Sequence, residues 1–211
     1  YLLSLLWNLF VYDFATDFGE VYINVVVFVR NILLASVGSH LLMKQKLPVT
    51  PLLRNGHGIR EQWKSCLAWS MGSATLMFLI STILLFITAQ PIAKASSYKF
   101  VDVITLAFHA VLVSISEETF VRLFLQALFI HLLAKAKFGT VVSLGLCSVI
   151  WAFSHAGIIE TGGVKFIQIF VFGILLGILM LKKGWESCCF AHAMFNFAAS
   201  ILLPGFQTIN N

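Results

Sequence analysis

Long, nearly uninterrupted apolar runs make up most of this 211-residue chain and limit the folds that it can adopt. A run of about 20 apolar residues is long enough to span the hydrocarbon core of a bilayer as a helix. Eight runs are apparent, at 1–14, 21–43, 66–89, 100–116, 117–134, 140–157, 164–181 and 185–204. The sequence therefore predicts an all-α fold, a polytopic membrane helix bundle with about eight transmembrane helices.

The composition excludes several classes of protein. Hydrophobic residues make up 59% of the chain and charged residues only 11%, whereas an ordinary soluble domain has about 45–50% and about 25%. A soluble enzyme and a disordered chain are thereby excluded. The net charge of +5 is explained by basic residues in the short loops beside lipid headgroups, so we expect membrane lipids as partners and no nucleic acid.

The order of the runs also bears on domain organisation. No linker or internal repeat divides the chain, so we expect a single membrane-embedded domain over 1–211, whose motif-bearing catalytic core lies at 100–204. Within that core, Gly173 and Gly177 form a GxxxG pair, which favours close packing against a neighbouring helix.

The apolar stretch at 100–134 is too long for one span. As a helix it would extend roughly 52 Å at about 1.5 Å per residue, against a hydrocarbon core of about 30 Å. Ser114 and Glu117 have the spacing of a capping box, which is typical of a helix N-terminus. The sequence therefore predicts a break near Ser114–Glu117, with a new helix beginning at about Glu117.

Three charged residues, Glu117, Glu118 and Arg122, lie in the middle of this apolar stretch. Ionisable side chains inside a membrane span are energetically costly and mark functional sites. Glu118 and Arg122 are four residues apart and can pair on one helix face, which is a purely structural explanation for both. Glu117 has no such local partner, so we expect it to have a functional role.

Two later segments supply polar groups at a similar depth. The turn after the fifth run centres near Lys137, with Glu117 20 residues before it and His155 18 residues after it. Antiparallel helices would therefore bring these two residues to the same level of the membrane. His192 and Asn196 are four residues apart, so they share a helix face, and taken singly each is commonly a buried hydrogen-bonding group.

A carboxylate, two imidazoles and an amide in one cavity are suited to hydrolysis. A carboxylate and an imidazole can hold and deprotonate a water molecule, while a second imidazole and an amide can donate to an oxyanion. A metal site of two histidines and one carboxylate is the alternative from residue type alone. Because no zinc-motif spacing supports it, we expect neither a metal nor another cofactor.

These residues resemble a known family. They form three motifs, in this order along the chain: Glu117-Glu118-x-x-x-Arg122, Trp151-x-x-x-His155 and His192-x-x-x-Asn196. The set looks like that of the CPBP family, which contains the CAAX prenyl endopeptidases and bacteriocin-processing or immunity (Abi) proteins. The resemblance covers 117–196, and Trp151 stands where phenylalanine is usual in the family.

The resemblance implies a metal-independent, glutamate-dependent intramembrane endopeptidase. In such an enzyme Glu117 and His155 would activate water, and His192 and Asn196 would stabilise the oxyanion. The implied substrate is a membrane-associated peptide or a prenylated, lipidated protein, and further protein subunits are compatible with this function. The implied location is a multi-pass position in a bacterial plasma membrane.

Glu118 and Arg122 match positions that support the site in this family. Two functions of other classes remain open on the sequence alone. One is a non-catalytic, CPBP-like membrane scaffold or immunity subunit that keeps the fold without turnover. The other is a proton-coupled transporter with a relay through its buried carboxylate and imidazoles.

Overall fold

The computed structural model describes residues 15–49, 59–87, 100–156 and 163–202. Within these ranges the chain forms seven α-helices and one π-helix. In chain order they are α1 (Ala15–Lys44), α2 (Ile59–Ile87), α3 (Phe100–Glu118), π1 (Thr119–Gln126), α4 (Ala127–Leu132), α5 (Gly139–Ala156), α6 (Gly163–Lys183) and α7 (Trp185–Leu202). The predicted all-α membrane fold is confirmed.

The predicted count of eight spans is not confirmed by the part of the chain that the structure describes. Within the described ranges, four helical segments are long and apolar enough to cross a membrane: Val27–Lys44, Gln62–Ile87, Val103–Leu132 and Gly163–Lys183. Gly139–His155 forms a shorter apolar helix. The runs at 100–116 and 117–134 belong to one span instead of two, and the run at 1–14 lies outside the described residues.

The predicted break near Ser114–Glu117 is wrong. Helix α3 continues through Glu118 and passes directly into π1, in which hydrogen bonds join residues five apart. Ser114 is buried within the helix, and no proline or glycine occurs between residues 100 and 132 to force the backbone out of a helical conformation. The local widening of the helix therefore takes the place of the expected break.

Helix α1 packs against π1, and a glycine permits the close approach. A Cβ atom on Gly38 would overlap the backbone carbonyl group of Leu123 in π1. Backbone at this distance leaves no room for a side chain, and a carbonyl group within a helix cannot rotate away as a flexible side chain could. Gly38 therefore fixes how near α1 lies to the widened turn.

We expect Gly38→Ala to destabilise the protein by about 1–3 kcal/mol, as overpacking of a tight contact usually does. The matched control is Gly145→Ala on α5, where an added Cβ would meet no atom within 4 Å. Thermal unfolding of both variants in the same detergent measures the difference. Equal unfolding temperatures for the two variants would contradict the close contact between α1 and π1.

The GxxxG pair on α6 packs against α5, as predicted. A Cβ on Gly173 would lie 2.7 Å from the Cβ of Ser148, and one on Gly177 would overlap the side chain of Leu144. The two helices therefore run in close contact along their length. This contact positions α5, whose last two turns carry Trp151 and His155.

Candidate active site

Glu117 on α3 and His155 on α5 face each other, as the hairpin arithmetic predicts. The Glu117 Oε2 atom lies 3.7 Å from His155 Nε2 and accepts a hydrogen bond of 2.9 Å from the indole Nε1 of Trp151. The side chains of Glu117 and His155 are 17% and 29% exposed. Both groups are thus partly buried yet accessible from outside the bundle.

The hydrogen bonds of His155 define which ring nitrogen carries a proton. Its Nδ1 lies 2.9 Å from the backbone oxygen of Trp151, and a carbonyl oxygen can only accept, so Nδ1 must be the donor. In the neutral ring, Nε2 is then an acceptor that faces the Glu117 carboxylate, which is also an acceptor. Two acceptors 3.7 Å apart can share one water molecule that donates a hydrogen bond to each.

Glu118 has a different environment from its neighbour, because successive helical residues point about 100° apart. Its Oε2 lies 3.3 Å from Arg122 Nε, and both side chains are 0% exposed. Its Oε1 lies 2.8 Å from His192 Nδ1. The predicted Glu118–Arg122 pair is confirmed, and His192 is an additional partner that the sequence did not predict.

Arg122 depends on two contacts for compensation of its buried charge. One is the ion pair with Glu118, and the other is the ring of Trp151, whose centroid lies 4.9 Å from the guanidinium carbon. None of its three side-chain nitrogens has a hydrogen-bond partner among the residues that the structure describes. The ion pair and the cation–π contact are therefore what balances this charge.

Trp151 lies at the centre of the site. Its ring packs edge-on against both His155 and His192, with centroid separations of 5.5 Å in each case. Its indole N–H donates to Glu117. A phenylalanine at this position could make the ring contacts but could not supply this donor, so the departure from the family pattern adds a hydrogen bond to the accessible carboxylate.

Asn196 lies at the edge of this cluster. Its Nδ2 is 3.5 Å from the hydroxyl oxygen of Ser114, at the outer limit of hydrogen bonding. Ser114 is about one helical turn before Glu117, and Asn196 is about one turn after His192. Helices α3, α5 and α7 therefore bring three of the four predicted catalytic residues around Trp151 and place the fourth beside the preceding turn.

Sequence reasoning missed the contribution of α1. Arg30 Nη2 and Asn31 Nδ2 donate to the hydroxyl oxygen of Ser116, at 3.0 and 3.3 Å. Ser116 immediately precedes Glu117, so α1 braces the turn that presents the accessible carboxylate. The sequence feature that could have indicated this contact is Arg30, a charged residue within an apolar run. Its partner Ser116 lies 86 residues away in sequence, so the sequence alone does not identify the pair.

The two histidines pair with different carboxylates. His155 faces Glu117, whereas His192 forms a hydrogen bond through Nδ1 to the fully buried Glu118. In the described part of the chain, no three His, Cys, Asp or Glu side chains form a group that could hold a metal ion. The geometry is that of two imidazole–carboxylate pairs, one accessible and one buried.

A comparison with protein families gives a match over the segment that carries the site. Residues 99–198, which include all three motifs, match the family described as Rce1-like, type II CAAX prenyl endopeptidase. No match was found among curated proteins or among solved structures. Together with the membrane-spanning helices, the match identifies an integral membrane protein. The segment 99–198 of this chain is therefore similar to the Rce1-like family of type II CAAX prenyl endopeptidases.

Proposed function

We propose that this chain is a glutamate-dependent, metal-independent intramembrane endopeptidase that cleaves a membrane-associated or prenylated peptide. The observation that carries the proposal is the pair formed by Glu117 and His155, two acceptors 3.7 Å apart in an accessible position. The match to an endopeptidase family supports the same reaction class. Glu117 and His155 are the proposed catalytic residues for the activation of water.

In the proposed reaction, a water molecule donates one hydrogen bond to Glu117 Oε2 and the other to His155 Nε2. The water oxygen attacks the carbonyl carbon of the scissile peptide bond while its proton passes to the Glu117 carboxylate. Collapse of the tetrahedral intermediate breaks the C–N bond, and the same proton passes to the leaving amine. The pair thus acts first as a general base and then as a general acid.

His192 and Asn196 are the proposed donors to the oxyanion. Asn196 offers its amide Nδ2. His192 donates through Nδ1 to Glu118, so donation from Nε2 to an oxyanion requires a proton on both ring nitrogens. The buried Glu118 carboxylate is the negative charge that such an imidazolium needs beside it, and it also fixes the orientation of the ring.

The test is cleavage of a farnesylated peptide by the purified chain in liposomes, followed by mass spectrometry of the products. The proposed protease releases the C-terminal fragment. A scaffold or immunity subunit leaves the peptide intact, and a transporter leaves it intact while moving protons across the liposome membrane. Parallel measurement of internal pH with an entrapped dye separates these last two functions from each other.

We expect the chelator EDTA to leave peptide cleavage unchanged, since the proposed base acts on water directly. A zinc protease assayed in the same liposomes is the control and should lose its activity. Loss of cleavage by this chain that added zinc restores would instead assign the histidines and Glu117 to a metal site.

A further inference from the structure

A groove lies between α2 and α6, and its lining includes none of the proposed catalytic residues. It is a groove of about 360 Å³, formed by residues of α2 from Ala68 to Leu76 and of α6 from Leu175 to Leu179. Both helices are long and apolar enough to span a membrane, so an apolar surface here is ordinary in itself. What distinguishes the groove is the chemistry at one of its ends.

Two lysines converge at that end on a single tryptophan. The Nζ atoms of Lys182 and Lys183 lie 5.1 and 5.7 Å from the centroid of the Trp69 ring, and Trp69 itself lines the groove. Lys183 also donates a hydrogen bond of 2.7 Å to the hydroxyl of Ser65. Among the side chains that the structure describes, neither lysine forms an ion pair with a carboxylate.

The lysines and the apolar lining of the groove follow one another along the helix axes. Residues 182–183 end α6 beside the first turns of α2, whereas the groove extends away from them from Ala68 to Leu76, over about 12 Å of helix. Tryptophan and lysine are typical of the membrane interface, and the groove continues from there into the apolar part of both spans. The positive charge of the lysines at the interface is therefore followed directly by the apolar groove at hydrocarbon depth.

We propose that this groove is a binding site for an anionic phospholipid of the surrounding bilayer. The phosphate group lies against Lys182 and Lys183, and one acyl chain lies along the groove past Gly72. A Cβ on Gly72 would meet no atom within 4 Å, so this glycine is not required for a close helix–helix contact. The absence of a side chain at this position widens the groove. Basic pockets between membrane helices are a recognised form of lipid headgroup site.

The headgroup half of the site is tested with the full chain in neutral detergent, titrated with phosphatidylglycerol or with phosphatidylcholine of the same acyl chains. Native mass spectrometry counts the bound lipids. We expect phosphatidylglycerol to bind more tightly, and Lys182→Gln/Lys183→Gln to weaken that binding about 25-fold, or about fivefold for each charge removed. The matched control is Lys135→Gln/Lys137→Gln, in which Lys137 also lies over an aromatic ring, 5.5 Å from the centroid of Phe138.

The acyl-chain half is tested with Gly72→Leu, whose side chain would fill the groove. We expect this variant to lose the bound phosphatidylglycerol although both lysines remain. Gly145→Leu on α5 is the control, because an added Cβ there also meets no atom within 4 Å. Thermal unfolding without added lipid should be equal for the two glycine variants.

Three results would overturn the proposal. Equal affinity of the unmodified chain for both lipids would remove the role of the lysines. Undiminished binding by Gly72→Leu would mean that the lipid is held at the surface and not in the groove. A lipid-free dimer that Gly72→Leu disperses would assign the groove to a second copy of the chain. None of these measurements depends on protease activity.

Discussion

Glu117→Gln should yield a folded protein whose rate of peptide cleavage falls by about 10²–10⁴-fold, the usual contribution of a general base. The amide keeps the size of the side chain and can still accept the hydrogen bond that Trp151 Nε1 gives to Glu117. It cannot take a proton from water at neutral pH. Initial rates of farnesylated-peptide cleavage in liposomes measure the effect.

His155→Gln should produce a loss of similar kind, because the amide oxygen of glutamine accepts a hydrogen bond but is a far weaker base than the imidazole Nε2 that it replaces. Its matched control is His109→Gln, which changes a histidine on α3 about two helical turns before Glu117 and should retain full activity. The unfolding temperatures of Glu117→Gln, His155→Gln and His109→Gln should all match that of the unmodified chain. An active Glu117→Gln protein would remove the proposed base and favour the scaffold or transporter functions.

Glu118→Ala should damage folding itself. It leaves the guanidinium of Arg122, which is 0% exposed, without an anionic partner, and the loss of one member of a buried ion pair typically costs about 3–5 kcal/mol. It also removes the acceptor for His192 Nδ1. We expect a large fall in the yield of monodisperse protein and in its unfolding temperature in detergent.

The control for Glu118→Ala is the double variant Glu118→Gln/Arg122→Met, which removes both charges and keeps most of the side-chain volume. Its stability should recover much of what the single variant loses, since no uncompensated charge remains. Its catalytic activity should stay low, because His192 then has no carboxylate beside it. Unchanged stability in Glu118→Ala would contradict the structural role assigned to the pair.

The proximity of Glu117 and His155 could be predicted because it depends only on the position of the turn between their helices and on the number of residues on each side of it. Two antiparallel helices that leave one turn reach equal depth after equal numbers of residues, and the turn near Lys137 is visible in the sequence. The error about the helix break at Ser114 does not affect this argument. The number of residues between the turn and Glu117 is the same whether the helix is broken at Ser114 or widened at π1.

The cross-helix contacts could not be predicted because they depend on helix rotation. In a soluble protein the polar face of a helix indicates its orientation, but in a membrane the lipid-facing and inward-facing sides are both apolar. The contact of Trp151 with Glu117 joins residues 34 apart, and that of His192 with Glu118 joins residues 74 apart. Only the packing of α3, α5 and α7 determines which side chains meet.

The π-helix at Thr119–Gln126 has a consequence for how this sequence can change over evolution. A π-helical turn holds more residues than an α-helical turn, so a deletion of one residue within it can be absorbed by a return to ordinary helix. A deletion in the ordinary helix of α3, which has no such extra residue, would instead turn everything that follows by about 100°, carrying Gln126 away from its hydrogen bond to the carbonyl of Gly177. Within π1, the loss of one residue is therefore more easily tolerated than in the helix before it.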